Sequence, residues 1–341
     1  MQALTLIGPS QFTFGQVADP EPAADEVLVR VRACGICGSD IHGMDGSSGR
    51  RQPPVIMGHE AAGDVVATGS AVKNWSIGQP VTFDSTVFCG RCPACLSGQV
   101  NLCSSRQVLG VSCDDYKRDG CFAELVALPQ HILHAIPPGV SHAEAAFAEP
   151  ISVALHAVNR LPATPRHAVV VGTGLIGLLV VQALRRAGCP HILAIDRDPA
   201  RLELARRFGA ADTLQPDGAD AAAWVHERTD GGADAAFEVV GHEVTLDLAI
   251  HASRIGGAVV LVGNLSPRPP FALQAVVTGE RTLHGSCASA GEYPDALAAV
   301  ADGSIQVQPL LSARAPLADG EQWFARLAKG EPGLMKVVLE P

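Results

Sequence analysis

The sequence predicts an α/β protein of two domains, one rich in β-structure and one built on a doubly wound parallel sheet. Three observations carry this. A chain of 341 residues is longer than a single hydrophobic core usually spans, about 250–300 residues. The first 150 residues are rich in Gly, Pro and short β-type runs such as Glu26–Ala33 and Gly63–Thr68, the pattern of an irregular, mostly antiparallel domain with functional loops. From about Arg166, strands and helices alternate: HAVVVG, an apolar helix, HILAID, DPARLELARRFG, ADAAFEVVG, a helical segment and GGAVVLVG. Such alternation implies right-handed βαβ units and a parallel sheet. Beyond about Gly285 the sequence offers one more helix, around Pro294–Asp302, and a final strand, Lys336–Leu339.

Composition narrows the function. Hydrophobic residues make up 47% and charged residues 18%, enough apolar material for large cores, and with aromatics at 4% those cores rely on Ala, Val, Leu and Ile. The net charge of −10 argues against nucleic acid, which needs a clustered basic surface. Met1 leads into no basic-then-apolar leader. The longest apolar run, Leu175–Leu184, is interrupted by Gly177 and Gln182 and falls short of the roughly 18–20 residues that span a bilayer. The expectation is a soluble, cytoplasmic protein with a small-molecule substrate and no membrane or nucleic-acid partner.

Ten cysteines in such a chain point to metal or redox chemistry before disulfides. Cys89, Cys92, Cys95 and Cys103 form C-x2-C-x2-C-x7-C. Four thiolates so spaced can converge on one tetrahedral, closed and therefore structural zinc; an iron–sulfur cluster is the chemical rival. A second donor set is scattered over three segments: Cys34 and Cys37 in CGICGSDIH, His59 and Glu60 in GHE, and Glu149 in AEP. Singly, each has an ordinary structural reading. Together they offer the three protein ligands of an open, catalytic zinc.

Gly172-Thr173-Gly174-Leu175-Ile176-Gly177 follows one strand and opens the next helix. This is the context in which G-x-G-x-x-G cradles a pyrophosphate at a helix N-terminus. Asp196 ends the next strand, where an acid binds the adenosine ribose hydroxyls and repels a 2′-phosphate, favouring NAD over NADP. Arg197 and Arg201 lie close by and favour the opposite choice. Arg197, and Val262 at the end of GGAVVLVG, are assigned to the same cofactor site.

GICGSDIH, MGHEAAG, the four-cysteine lobe and AEPISVALHA, in this order, resemble the zinc-containing medium-chain alcohol dehydrogenases over essentially the whole chain. The resemblance implies a GroES-like zinc-binding catalytic domain, residues 1–150 and 289–341, interrupted by a Rossmann domain, residues 151–288. It maps the catalytic zinc ligands onto Cys37, His59 and Glu149, with Glu60 either a direct ligand or close behind, and Asp40 as the carboxylate orienting the histidine. Cys34 is left as a packing residue. Glu149 stands where alcohol dehydrogenase has its second cysteine, which is similar to the sorbitol and polyol branch. The resemblance further implies a proton relay from Ser39 to His42, two zinc ions per chain, NAD as hydride acceptor, a secondary-alcohol substrate and a homodimer or homotetramer. Threonine, amino-sugar, cyclitol and simple secondary alcohols are the alternative substrates, and a non-catalytic NAD-binding protein the alternative class. Gly43 and Ala288-Ser289 occupy positions where the sorbitol enzyme has an aromatic and an Arg-Tyr pair, so a wider pocket is expected.

Overall fold

A computed structural model of the chain describes residues 1–112, 117–218 and 220–341. The chain divides into two compact units: Met1–Glu149 with Ser289–Gly303 and Val307–Pro341, and Pro150–Ala288 with Ser304–Gln306.

The first unit is organised by the strand Glu26–Gly35, in which Val27, Val29 and Val31 are buried while Arg30 and Arg32 are exposed, the two-residue period of a sheet with one apolar face. Its sheet runs Leu133–Ala135, Pro80–Phe83, Glu60–Thr68, Glu26–Gly35, Lys336–Glu340, Leu311–Pro316, with Leu125–Pro129 also on Glu26–Gly35. All of these pairs are antiparallel except Leu311–Pro316 with Lys336–Glu340. The core beneath it includes Val29, Val65, Phe83, Phe122, Phe324 and Leu339. Register matters for function here: Gly35 lies opposite Glu60, and Ile36 N–H donates to the Val337 carbonyl at 2.9 Å. Three distant segments thus meet at one sheet position.

The second unit holds six parallel strands among its described residues: His167–Val171, His191–Ile195, Asp212–Leu214, Ala233–Glu238, Ser253–Leu261 and Thr282–Gly285. Numbered along the chain they lie in the order 3-2-1-4-5-6, the doubly wound order whose direction reverses between the first and fourth strands. From sequence the apolar segment Gly257–Gly263 reads as an ordinary buried strand, with an association edge as the less favoured alternative. It is interior, since Ser253–Leu261 pairs with strands on both sides, and the edges are Asp212–Leu214 and Thr282–Gly285.

Local chemistry explains the helices. Gly177 through Leu184 are all buried in the helix Leu175–Arg186, which is why the run is apolar all round. The one polar residue among them, Gln182, is satisfied by Gln306: it accepts from Gln306 N–H at 2.7 Å and donates to its carbonyl at 3.2 Å. That pair ties Ser304–Gln306 into this unit. The helix Pro199–Phe208 starts at Asp198, whose carboxylate accepts from Ala200 N–H at 2.9 Å, and stops at Gly209 with φ 117°, an N-cap and left-handed C-cap. No helix among the described residues is long and apolar enough to cross a membrane.

Candidate active site

Cys37 caps the short helix Gly38–Gly43, accepting from Ser39 N–H at 3.4 Å. Glu60 opens the strand opposite Gly35, with His59 immediately before it. The sheet brings the Cys37 sulfur, a His59 ring nitrogen and a Glu60 carboxylate oxygen within 4.8 Å of one another. Gly35 leaves room for this carboxylate, since a Cβ there would lie 2.5 Å from Glu60 Oε2. Glu149, in the first turn of the helix Ala148–Asn159, is not within that radius of all three; it accepts from Ser85 Oγ at 3.3 Å. Ser85 N–H in turn donates to the hydroxyl of the fully buried Tyr293 at 3.2 Å.

Two cations that sequence reasoning missed complete this cluster. Lys336 is 2% exposed, forms an ion pair with Glu60 and donates to the Ile36 carbonyl at 2.9 Å. Arg51 donates to Asp40 Oδ1 at 2.9 Å, both side chains buried. A lone lysine inside the apolar run MKVVLE was the only sequence signal for the first; Arg51 gave none. Asp40 Oδ1 stands 3.6 Å from His59 Nδ1, longer than a hydrogen bond, and His59 Nδ1 is buried without a partner.

The electrostatics fit a cation. Asp40 is balanced by Arg51 and Glu60 by Lys336, which leaves Cys37 and Glu149 without a positive partner of their own. Burial, then Glu60, push the Cys37 thiol far up. Burial raises Glu149 to about 7, with His59 pulling it down and Glu60 adding to the rise. Thiolate, imidazole and carboxylate are the donor types zinc takes, and a divalent ion is what would let both groups ionise.

The four-cysteine lobe is built around the helix Pro93–Leu96. The four sulfurs lie within 4.8 Å of one another, with Cys92–Cys95 at 3.5 Å and Cys89–Cys95 at 4.0 Å. A tetrahedron of Zn–S bonds of about 2.3 Å has edges of about 3.8 Å, so the residues fit zinc. Backbone N–H groups of Cys95 and Ser104 lower Cys92 to about 6. Desolvation and the neighbouring Cys92 raise Cys95 to about 12. Leu96 and Leu102 are 75% and 49% exposed, so the lobe has almost no apolar core of its own.

In the second unit Gly172 has φ 94°. A Cβ on Gly177 would lie 1.9 Å from the Gly172 carbonyl oxygen, so the helix can approach the loop only with glycine there. Thr173 N–H donates to Asp196 Oδ2 at 2.6 Å, and Asp198 N–H to Asp196 Oδ1 at 2.9 Å. Asp196 therefore shapes the glycine loop as well as standing at the strand end. Thr173 is fully buried and its hydroxyl has no partner, while Gly174, Leu175 and Ile176 are half-buried. Arg197 is exposed; Arg201 is held by Asp198 at 3.5 Å. Val262 follows the fifth strand and donates to the Glu238 carbonyl at 2.9 Å. Replacing Gly177 with alanine is expected to weaken NADH binding by at least about tenfold through this clash; an unchanged fluorescence titration would dissociate the loop from cofactor binding.

The remaining expected residues fall differently. Ser39 and His42 are both exposed on the helix Gly38–Gly43. The wider pocket expected at Gly43 is not formed by that glycine. It is buried, and a Cβ there would meet Arg51 Cγ at 2.9 Å and Ser48 Oγ at 3.2 Å. The space is filled by the arginine that holds Asp40.

Residues 23–138 match the alcohol dehydrogenase GroES-like domain, and residues 176–302 match the zinc-binding dehydrogenase domain. The sorbitol dehydrogenase of Bacillus subtilis is 31% identical over 100% of this chain and 97% of its own length. The chain belongs to the zinc-binding alcohol dehydrogenase family. L-idonate 5-dehydrogenase of Vitis vinifera is 33% identical, covering 89% of this chain and 85% of that protein. Among solved structures, a zinc-binding dehydrogenase of Sinorhizobium meliloti bound to NADP superposes with a TM-score of 0.90 at 32% identity, over 100% of this chain and 99% of that one. Like its family, the chain is an oxidoreductase of CH–OH groups that uses zinc and NAD(P). The GroES-like and Rossmann-type parts expected from the sequence are both present.

Proposed function

We propose that this zinc-dependent dehydrogenase is NAD-linked and oxidises a secondary alcohol of a polyol or sugar-like substrate to a ketone. The observation that carries the reading is the carboxylate Glu149 beside Cys37, His59 and Glu60, where a second cysteine would suit a simple alcohol dehydrogenase. The sorbitol and idonate enzymes among its relatives point the same way. We assign residues 1–150 and 289–341 to the catalytic domain and 151–288 to the dinucleotide-binding domain.

Zinc held by Cys37, His59 and a carboxylate, Glu149 or Glu60, supplies Lewis-acid polarisation of the substrate hydroxyl. The chain's own residues do the rest. Lys336 holds Glu60 in an ion pair, while Arg51 fixes Asp40 beside the histidine. Ser39 Oγ receives the hydroxyl proton and the His42 imidazole, three residues on along the same helix, passes it to solvent. A second zinc on Cys89, Cys92, Cys95 and Cys103 is structural. Gly172 through Gly177 receive the pyrophosphate, with Asp196, Arg197 and Val262 flanking the dinucleotide. Asp196 disfavours a 2′-phosphate, and the ion pair of Arg201 with Asp198 draws a cation away from it.

The edge strand Thr282–Gly285, with exposed Ile255 on the strand paired to it and exposed Leu273 and Val277 in the helix before it, supports a homo-oligomer, a dimer or tetramer. Cys34, Cys121 and Cys189 are buried free thiols, which suits the cytoplasm. The test is a spectrophotometric screen of NAD and NADP reduction across polyols, aldoses, cyclitols, threonine and simple secondary alcohols. Polyols with NAD are expected to give the highest kcat/KM. A preference for threonine or simple alcohols would overturn the substrate, and a preference for NADP would overturn the role given to Asp196.

A further inference from the structure

Glu238 ends the central strand Ala233–Glu238 and is 2% exposed. Both its carboxylate oxygens are spent on the turn that follows. Oε1 accepts from Val240 N–H at 3.0 Å and Gly241 N–H at 2.8 Å, and Oε2 from Gly241 N–H at 2.9 Å. Its backbone carbonyl accepts from Val262 N–H at 2.9 Å and Gly263 N–H at 3.0 Å. One residue therefore ties together the segments leaving two adjacent strands.

These segments are packed too closely for side chains. A Cβ on Gly263 would lie 2.1 Å from Gly241 N, and one on Gly241 would lie 2.4 Å from Asn264 N. On the other side, the Val240 side chain covers the first glycine of the cofactor loop: a Cβ on Gly172 would meet Val240 Cγ2 at 2.5 Å. Val239 N–H donates to the Val171 carbonyl at 3.0 Å, fixing the turn against the first strand. The connection runs from Glu238 through the 239–241 turn to Val240, then to Gly172 and the loop that Asp196 also holds. All of it lies at the carboxyl ends of the strands, beside the point where strand order reverses, which is where ligands bind in open α/β sheets.

A buried carboxylate is costly unless its hydrogen bonds are made, and ending a strand does not need one. We propose that Glu238 is a positioning residue for the dinucleotide, setting the 239–241 turn so that Val240 holds the Gly172 loop in its binding shape. The inference rests on the dinucleotide-binding reading of that loop.

The test compares Glu238→Gln, Val240→Ala and the double variant by NADH fluorescence titration, zinc content, thermal midpoint and steady-state kinetics. Glu238→Gln directs an amide N–H₂ at a turn N–H. It is expected to weaken NADH binding about tenfold and raise KM for NAD similarly, with kcat at saturating NAD within about twofold and zinc content that of the wild type. Val240→Ala keeps every backbone hydrogen bond of the turn and is expected to weaken binding about threefold. The double variant should bind no more weakly than Glu238→Gln alone, since both act through one contact.

Unchanged NADH affinity in folded Glu238→Gln overturns the proposal, as do effects that multiply in the double variant. If Glu238→Gln does not fold, unchanged affinity in Val240→Ala overturns it. A fall in kcat as large as the rise in KM also overturns it. Wild-type protein that binds no NADH would instead remove the dinucleotide reading, and this inference with it.

Discussion

Cys37→Ala is expected to lower kcat/KM by about three orders of magnitude while reducing bound zinc from two ions per chain to one. Cys37 brings the sulfur to a cluster in which a His59 ring nitrogen and a Glu60 carboxylate oxygen lie within 4.8 Å of it and of each other, while His59 and Glu60 act electrostatically on Glu149. Its removal leaves Glu60 committed to Lys336 and His59 short of a soft partner. Losing the Lewis acid forfeits several kcal/mol of transition-state stabilisation, and each 1.36 kcal/mol is about a decade in rate. The fold should survive, because Cys37 caps only a six-residue helix. Metal analysis beside kinetics and a melting curve decides the matter. Two zinc ions and near-normal turnover in the variant would remove Cys37 from the site.

Cys92→Ala is expected to act on stability, lowering the thermal midpoint by roughly 10 °C or more and opening the 89–103 segment to proteases. Within that lobe Leu96 and Leu102 point to solvent, while Asn101 and Cys103 are buried. A metal held by the four thiolates would supply what an apolar core does elsewhere. A loss of about 4 kcal/mol corresponds to roughly 8–16 °C in a folding unit of about 150–250 residues. Limited proteolysis with mass spectrometry should place the first cuts inside the lobe. An unchanged midpoint with both zinc ions retained would mean that the four thiols are not a metal staple. The two variants separate cleanly: one loses turnover with its fold intact, the other loses local order first.

Where the sequence was legible, one element carried its own signal. The four cysteines, G-x-G-x-x-G and the alternation of βαβ units are local patterns, set by ligand spacing, backbone clearance and side-chain period. Gly177 illustrates this: its spacing from Gly172 was readable, and the 1.9 Å approach to the Gly172 carbonyl is the reason for it. For Ser253–Leu261 the sequence favoured a buried strand but left an association edge open, because a buried apolar strand and an apolar edge strand look alike until their neighbours are known.

The active-site cluster is the clearest division between the two levels. By itself the sequence determined the donor types, Cys37, His59, Glu60 and Glu149, and through resemblance suggested that they converge. Only the tertiary structure decided that Lys336, 276 positions beyond Glu60 in the chain, is its ion-pair partner, and that Arg51 fills the space at Gly43 and holds Asp40. The reason is physical. A ligand motif is selected by chemistry that each residue carries alone, whereas charge balance in a buried site depends on which strands the sheet register sets side by side.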